Sequence, residues 1–112
     1  MKHEESKIQQ SAVMWFKLQF PHLVIFAVPN GGTRNKVEAA IMKSEGILAG
    51  VADLVLVGMG KVVFVEMKTP KGTQQDTQKE FQRKVQRLGH EYHICRSIED
   101  FMQVCKEAFM VK

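Results

Sequence analysis

Cysteine is scarce in this chain of 112 residues: Cys95 and Cys105 are the only two, and they lack CxxC spacing. That excludes a disulfide-stapled scaffold and a zinc ribbon, and it marks both as reduced, partly buried thiols. His3, His22, His90 and His93 show no metal-ligand spacing and read as surface or strand residues. Long apolar runs are missing as well. The longest clean stretch, Leu23-Val24-Ile25-Phe26-Ala27-Val28, is far too short to span a bilayer. The first seven residues, Met1-Lys2-His3-Glu4-Glu5-Ser6-Lys7, are too charged for a secretory leader. Repeats, low-complexity tracts and linker-like stretches are absent too. The expectation is a soluble, non-secreted, cytoplasmic protein with one domain over residues 1–112.

What is present is ordinary for a globular domain: 45% hydrophobic and 25% charged residues. Sixteen Lys and Arg against twelve Asp and Glu give a net charge of +4, which suits a polyanionic partner without requiring one.

The periodicity sets out an order α-β-α-β-β-α-β-α. Ile8, Ala12, Val13, Trp15, Phe16 and Phe20 recur at helical spacing over residues 4–20, and Pro21 stops that helix. Residues 23–28 read as a buried strand, followed by the glycine-bearing turn Pro29-Asn30-Gly31-Gly32-Thr33. Thr33 or Asn35 is the expected cap of a helix over residues 36–45, with Val37, Ala40 and Ile41 inward. Thr73-Gln74-Gln75-Asp76 reads as a capping box with Thr73 as N-cap of a helix running to Leu88. That helix should bury Phe81, Val85 and Leu88 and carry a basic stripe of Lys79, Arg83 and Arg87. Residues 91–95 form a strand, and Ser97 caps a last helix that buries Ile98, Met102, Cys105 and Phe109. A four-stranded mixed sheet flanked by helices follows, an α/β (α+β) fold.

The organising stretch is a pair of apolar strands carrying three charges: Asp53-Leu54-Val55-Leu56-Val57, then Lys61-Val62-Val63-Phe64-Val65-Glu66-Met67-Lys68. Alternation puts Glu66 and Lys68 on one face and Met67 on the other. Such charges are costly to bury unless paired, hydrogen-bonded or bound to a metal. Hard carboxylate oxygens suit Mg²⁺ or Mn²⁺ rather than zinc. Whether Asp53 joins them depends on register. Pairing Val57 with Lys61 sends Asp53 to the opposite face. Pairing Gly58 with Lys61 sets Asp53 opposite Glu66, roughly 5 Å away at Cβ.

Asp53 with Glu66-x-Lys68 across a hairpin resembles the PD-(D/E)xK nuclease pattern. More closely, the chain resembles the VRR-NUC (virus-type replication–repair nuclease) branch. The matching pieces are Glu5 with Gln9, Pro29-Asn30-Gly31-Gly32, Glu45-Gly46-Ile47-Leu48-Ala49-Gly50-Val51-Ala52-Asp53, Glu66-Met67-Lys68, Gly72, Gln78 with Phe81, and Leu88-Gly89-His90-Glu91-Tyr92. Ala52 departs from the pattern, where proline usually precedes the aspartate.

The resemblance implies a restriction-endonuclease-like core and a Mg²⁺- or Mn²⁺-dependent endodeoxyribonuclease. It implies metal ligation by Asp53, Glu66 and the Met67 backbone carbonyl, with Glu5 (or Glu4, one residue earlier) contributing directly or through water. Lys68 would orient the attacking water or stabilise developing charge, and Gln78 would support the site from its helix. Candidate DNA contacts are Asn30, Gly31, Gly32, Arg34, Lys36, Lys71, Lys79, Arg83 and Arg87. The resemblance further suggests a homodimer acting on branched, flapped or four-way DNA, with a phage or bacterial repair setting. The rival expectation is a non-catalytic nucleic-acid-binding module that retains the fold.

Overall fold

A computed structural model describes residues 2–29 and 35–110. The elements are α1 (Lys2–Gln19), β1 (Val24–Ala27), α2 (Lys36–Ser44), β2 (Leu54–Gly58), β3 (Lys61–Met67), α3 (Asp76–Arg87), β4 (Glu91–Cys95) and α4 (Ile98–Phe109). The strands form one mixed sheet in the order β1-β2-β3-β4, antiparallel except for the parallel β3–β4 pair. The central hairpin is therefore β2–β3, as expected from the sequence.

The sheet has two unlike faces. One carries Leu54, Leu56, Val63, Val65 and Met67, which close over Ala12 and Phe16 of α1 and Phe101 and Cys105 of α4. Phe16 and Phe101 are fully buried there, with ring centroids 6.4 Å apart. The other face carries Phe64, Tyr92 and Ile94 under Phe81 and Val85 of α3, together with Ala52. Phe64 meets Phe81 edge-to-face at 5.3 Å. Position 52, where the family pattern has proline, is thus a closed packing site: Ala52 is fully buried. Both cysteines are free and buried. Burial pushes each thiol up to about 12, so neither is a ready nucleophile at neutral pH.

Four local expectations change. β1 is an edge strand, not a buried one: Val24 and Phe26 on its α3-side face are about half exposed. α2 starts where expected, with Asn35 accepting from the Glu38 N–H at 2.7 Å, but it buries no residue, and Val37 and Ile41 face solvent. α3 begins two residues later than expected, with Gln75 rather than Thr73 at its N-cap, and Leu88 at its end is exposed. In α4 the largest buried side chain is Phe101, which the expected inward stripe omitted. Among the described residues, no helix is long and apolar enough to cross a membrane.

Candidate active site

The β2–β3 turn is the two-residue Met59-Gly60, with Gly60 at φ +69° and Gly58 paired with Lys61. Leu54 pairs with Val65, so one residue further out Asp53 lies opposite Glu66. This is the parity that brings both carboxylates to the α3 side of the sheet. Asp53 is fixed there from the neighbouring strand: its Oδ2 accepts the Met67 N–H at 2.7 Å. Within a strand, N–H and C=O of one residue point to the same side, so the Met67 carbonyl faces the Asp53 side as well.

Glu66 is almost fully buried, at 1% exposure. Three side chains donate to it. Gln78 Nε2 lies 2.7 Å from Oε2, Lys68 Nζ lies 3.5 Å from the same oxygen, and the Tyr92 hydroxyl lies 3.4 Å from Oε1. Gln78 is itself oriented, because its Oε1 accepts the Gln75 N–H at 2.8 Å. The first turn of α3 therefore aims the amide's donor end at Glu66. Gln74 holds the Tyr92 hydroxyl at 3.2 Å and bonds Gln82 at 3.0 Å.

Gly50 makes this approach possible. It sits at φ +84°, and a Cβ there would lie 2.3 Å from the Thr77 carbonyl oxygen. The chain leading to Asp53 thus runs directly against the start of α3, which carries Gln78.

Burial, and next the charge of Asp53, push the Glu66 carboxyl up to about 7; Lys68 pulls the other way. Desolvation and the buried carboxylate make the Tyr92 phenol weaker still as an acid, so it stays a neutral donor.

The consequence for stability has a definite sign. A raised carboxyl pKa favours the protonated folded state, so this contribution is complete below about 4.5 and is lost as pH rises through about 7. The full swing is about 3 kcal/mol. Glu91 has the opposite sign. Its bond from His93, and then Lys61, hold its carboxyl below the ordinary range, so its contribution is lost only on strong acidification. Metal-free protein in EDTA is therefore expected to melt lower at pH 8 than at pH 5.5. A thermal-melt series checks this, and a flat or rising profile would show that Glu66 is not held as described.

Buried Glu66, whose proton affinity the charge of Asp53 raises, forms with Asp53 and a carbonyl on the same side an all-oxygen donor set suited to a hard divalent cation. Among the described residues, no group of three or more His, Cys, Asp or Glu side chains is gathered to hold a metal. Glu5 on α1, half-buried, is thus not joined to Asp53 and Glu66 in such a group.

The sequence pattern of the VRR-NUC domain family matches residues 3–99. The chain belongs to that family. A solved structure described as a "VRR_NUC domain protein" shares the fold at TM-score 0.77, covering 95% of this chain and 88% of its own, with 21% identity. Curated proteins provide no significant sequence match. The VRR-NUC fold here is a mixed sheet with flanking helices, consistent with the restriction-endonuclease-like architecture.

Within this VRR-NUC chain, Asp53 lies opposite Glu66 and holds the Met67 N–H, while Lys68 and Gln78 both reach Glu66. Lys36, Lys71, Lys79, Arg83 and Arg87 are all exposed. Asn30, Gly31, Gly32 and Arg34 lie outside the described residues. The sequence reading gave no role to Tyr92, Gln74 or Arg96. Tyr92 stands in the family pattern, which was the available signal. Gln74 and Arg96 carry no local sequence signal, because their contacts span many residues.

Proposed function

We propose that the chain is a divalent-metal-dependent endodeoxyribonuclease whose site is Asp53, Glu66, Lys68 and Gln78. The observation that carries this reading is the meeting of Asp53 and buried Glu66 on one sheet face with Lys68 3.5 Å from Glu66. A structural ion pair would need one carboxylate for one ammonium. Here a second carboxylate is held next to the first at an electrostatic cost, which a cation would relieve.

Asp53, Glu66 and the Met67 carbonyl would hold Mg²⁺ or Mn²⁺, with Glu5 reaching it through water. The cation would supply Lewis-acid polarisation of the scissile phosphate. Lys68 keeps an ammonium at the edge of the carboxylate pair, where it orients a water for attack and offsets charge building on the phosphate oxygens. Gln78 and Tyr92 fix the Glu66 carboxylate so that it need not reorganise as charge develops. Lys71, beside the site, and Lys79 and Arg83 on α3 meet the DNA backbone, as would residues 30–34 and Lys36.

The substrate we favour is flapped or four-way DNA, cut by a homodimer. Among the described residues no base-reading element is evident. The exposed apolar side chains Val24 and Phe26 on β1 and Val37 and Ile41 on α2 are surface that a second copy would cover. Sedimentation should give a dimer that Phe26→Glu weakens; a monomer at high concentration removes the dimer from the account. The test of the function is incubation of linear, flapped and four-way DNA with the protein and Mg²⁺ or Mn²⁺. Metal-dependent cleavage with preference for branched forms is expected. Binding without cleavage in either metal would favour the non-catalytic module.

A further inference from the structure

Arg96 stands at the end of β4, outside the carboxylate cluster. Because β3 and β4 run parallel, their C-terminal ends lie side by side, with Met67 paired to Cys95 and the Lys68 N–H bonded to the Cys95 carbonyl at 3.0 Å. The chain then departs in two directions: β3 into the turn at residues 69–72, β4 into α4. Arg96 joins them. Its backbone N–H donates to Asp100 Oδ2 at 2.9 Å, in the first turn of α4, which Ser97 caps. Its guanidinium crosses to the other loop. Nη1 lies 2.8 Å from the Thr69 carbonyl oxygen, 2.6 Å from that of Gly72 and 3.4 Å from that of Pro70. Charge-assisted bonds to carbonyls that face one point are among the stronger neutral-acceptor contacts.

The clamped turn matters because of what lies under it. Gly72 lies beside the Lys68 stem: a Cβ there would stand in ordinary van der Waals contact with Lys68 Cδ, at 3.5 Å, and in tighter contact with Thr69 Oγ1, at 3.1 Å. The turn is closed by the Gly72 N–H to the Thr69 carbonyl at 3.0 Å. Lys68 is accordingly only 9% exposed despite its length, with its ammonium turned to Glu66. A flexible four-carbon stem otherwise has many rotamers, so covering it is an effective way to fix where the ammonium sits.

We infer that Arg96 is a positioning residue for the nuclease reaction: it clamps the 69–72 turn over the Lys68 stem and so aims the Lys68 ammonium at the site. This inference rests on the proposed nuclease reading. Arg96 uses its charge on backbone carbonyls, not on substrate phosphate, and its effect on turnover passes through Lys68.

The test is a double-mutant cycle of Arg96→Met and Lys68→Ala on metal-dependent DNA cleavage, run well below each variant's melting temperature. Arg96→Met is expected to lower kcat roughly 10- to 100-fold with KM changed less than about 2-fold. It should cost little further on the Lys68→Ala background. Arg96→Lys, which keeps a charged multiple donor, should recover part of kcat. A phosphate contact would behave otherwise, raising KM and lowering the salt slope by about 1. That pattern, an unchanged kcat, or fully additive losses would overturn the inference. Amide hydrogen exchange decides the clamp independently of turnover. Exchange at Gly72 should quicken in Arg96→Met while the α1 and α4 core stays protected, and unchanged exchange would refute the clamp. A wild type that cuts no DNA would instead refute the nuclease reading.

Discussion

Asp53→Asn is expected to remove metal-dependent DNA cleavage, by roughly 10³-fold, from a protein that still folds. The substitution changes charge and little else. Asparagine has the volume of aspartate, and its Oδ1 can accept the Met67 N–H that Asp53 Oδ2 accepts at 2.7 Å. The hairpin end therefore stays tied. On the proposed reading, what would be lost is one of two negative charges that would face the cation, and the several kcal/mol that a cation's charge would supply in the transition state corresponds to a loss of that order. A second effect runs in the opposite direction. The charge of Asp53 is the second cause, after burial, of the raised Glu66 carboxyl. Removing it returns Glu66 toward its ordinary range and relieves the folded protein at pH 8. In EDTA at pH 8, Asp53→Asn should melt at or above the wild-type temperature. With Mg²⁺ or Mn²⁺ only the wild type should gain. A variant that melts much lower without metal would show that Asp53 is a structural residue.

Gly50→Ala is the substitution expected to damage the fold most for its size. A Cβ at position 50 would lie 2.3 Å from the Thr77 carbonyl oxygen and 2.8 Å from the Gln78 nitrogen, both backbone atoms that cannot rotate away. The φ of +84° adds a conformational cost of its own for any L side chain. Strain and overpacking together come to about 2–5 kcal/mol. For a chain of this size that corresponds to a drop on the order of 10–20 °C or more in melting temperature. If the protein relieves the clash by moving the start of α3, Gln78 leaves Glu66 with it, so activity should fall further than stability alone explains. Calorimetry checks the first part. Cleavage measured at a temperature where the variant is fully folded checks the second. A melting temperature within about 2 °C of wild type would mean that the chain and α3 are not in contact.

How much of this was legible in the sequence depended on the range of the interaction. The alternation in residues 61–68 placed Glu66 and Lys68 on one face without further help, since period two is a local property. Asp53 was legible only as a choice between two registers. The two-residue turn at Met59-Gly60 decides it, and turn length is set by backbone geometry that a Gly-Met-Gly string leaves open. Thr73 resembled an N-cap, yet the helix starts at Asp76 because Gln78 closes back on the Gln75 N–H while its other end bonds Glu66. A tertiary contact there outweighs a local preference. Val37 and Ile41 follow a helical period that normally marks a buried face, but α2 buries none of its residues. Phe101 was missed because one turn of α4 offers several apolar side chains and only the packing against Phe16 and Trp15 selects among them. Arg96 was invisible for a different reason. Its role depends on β3 and β4 being parallel, which no short motif states.

The measurement that bears most directly on the site is cleavage of one branched DNA substrate in Mg²⁺ and in Mn²⁺ by wild type, Asp53→Asn and Lys68→Ala, at equal folded concentration. Wild type should cut in metal and not in EDTA, and each variant should lose at least about 10²-fold in kcat. Cleavage at the wild-type rate by both variants would contradict the assignment of Asp53 and Lys68 to the reaction.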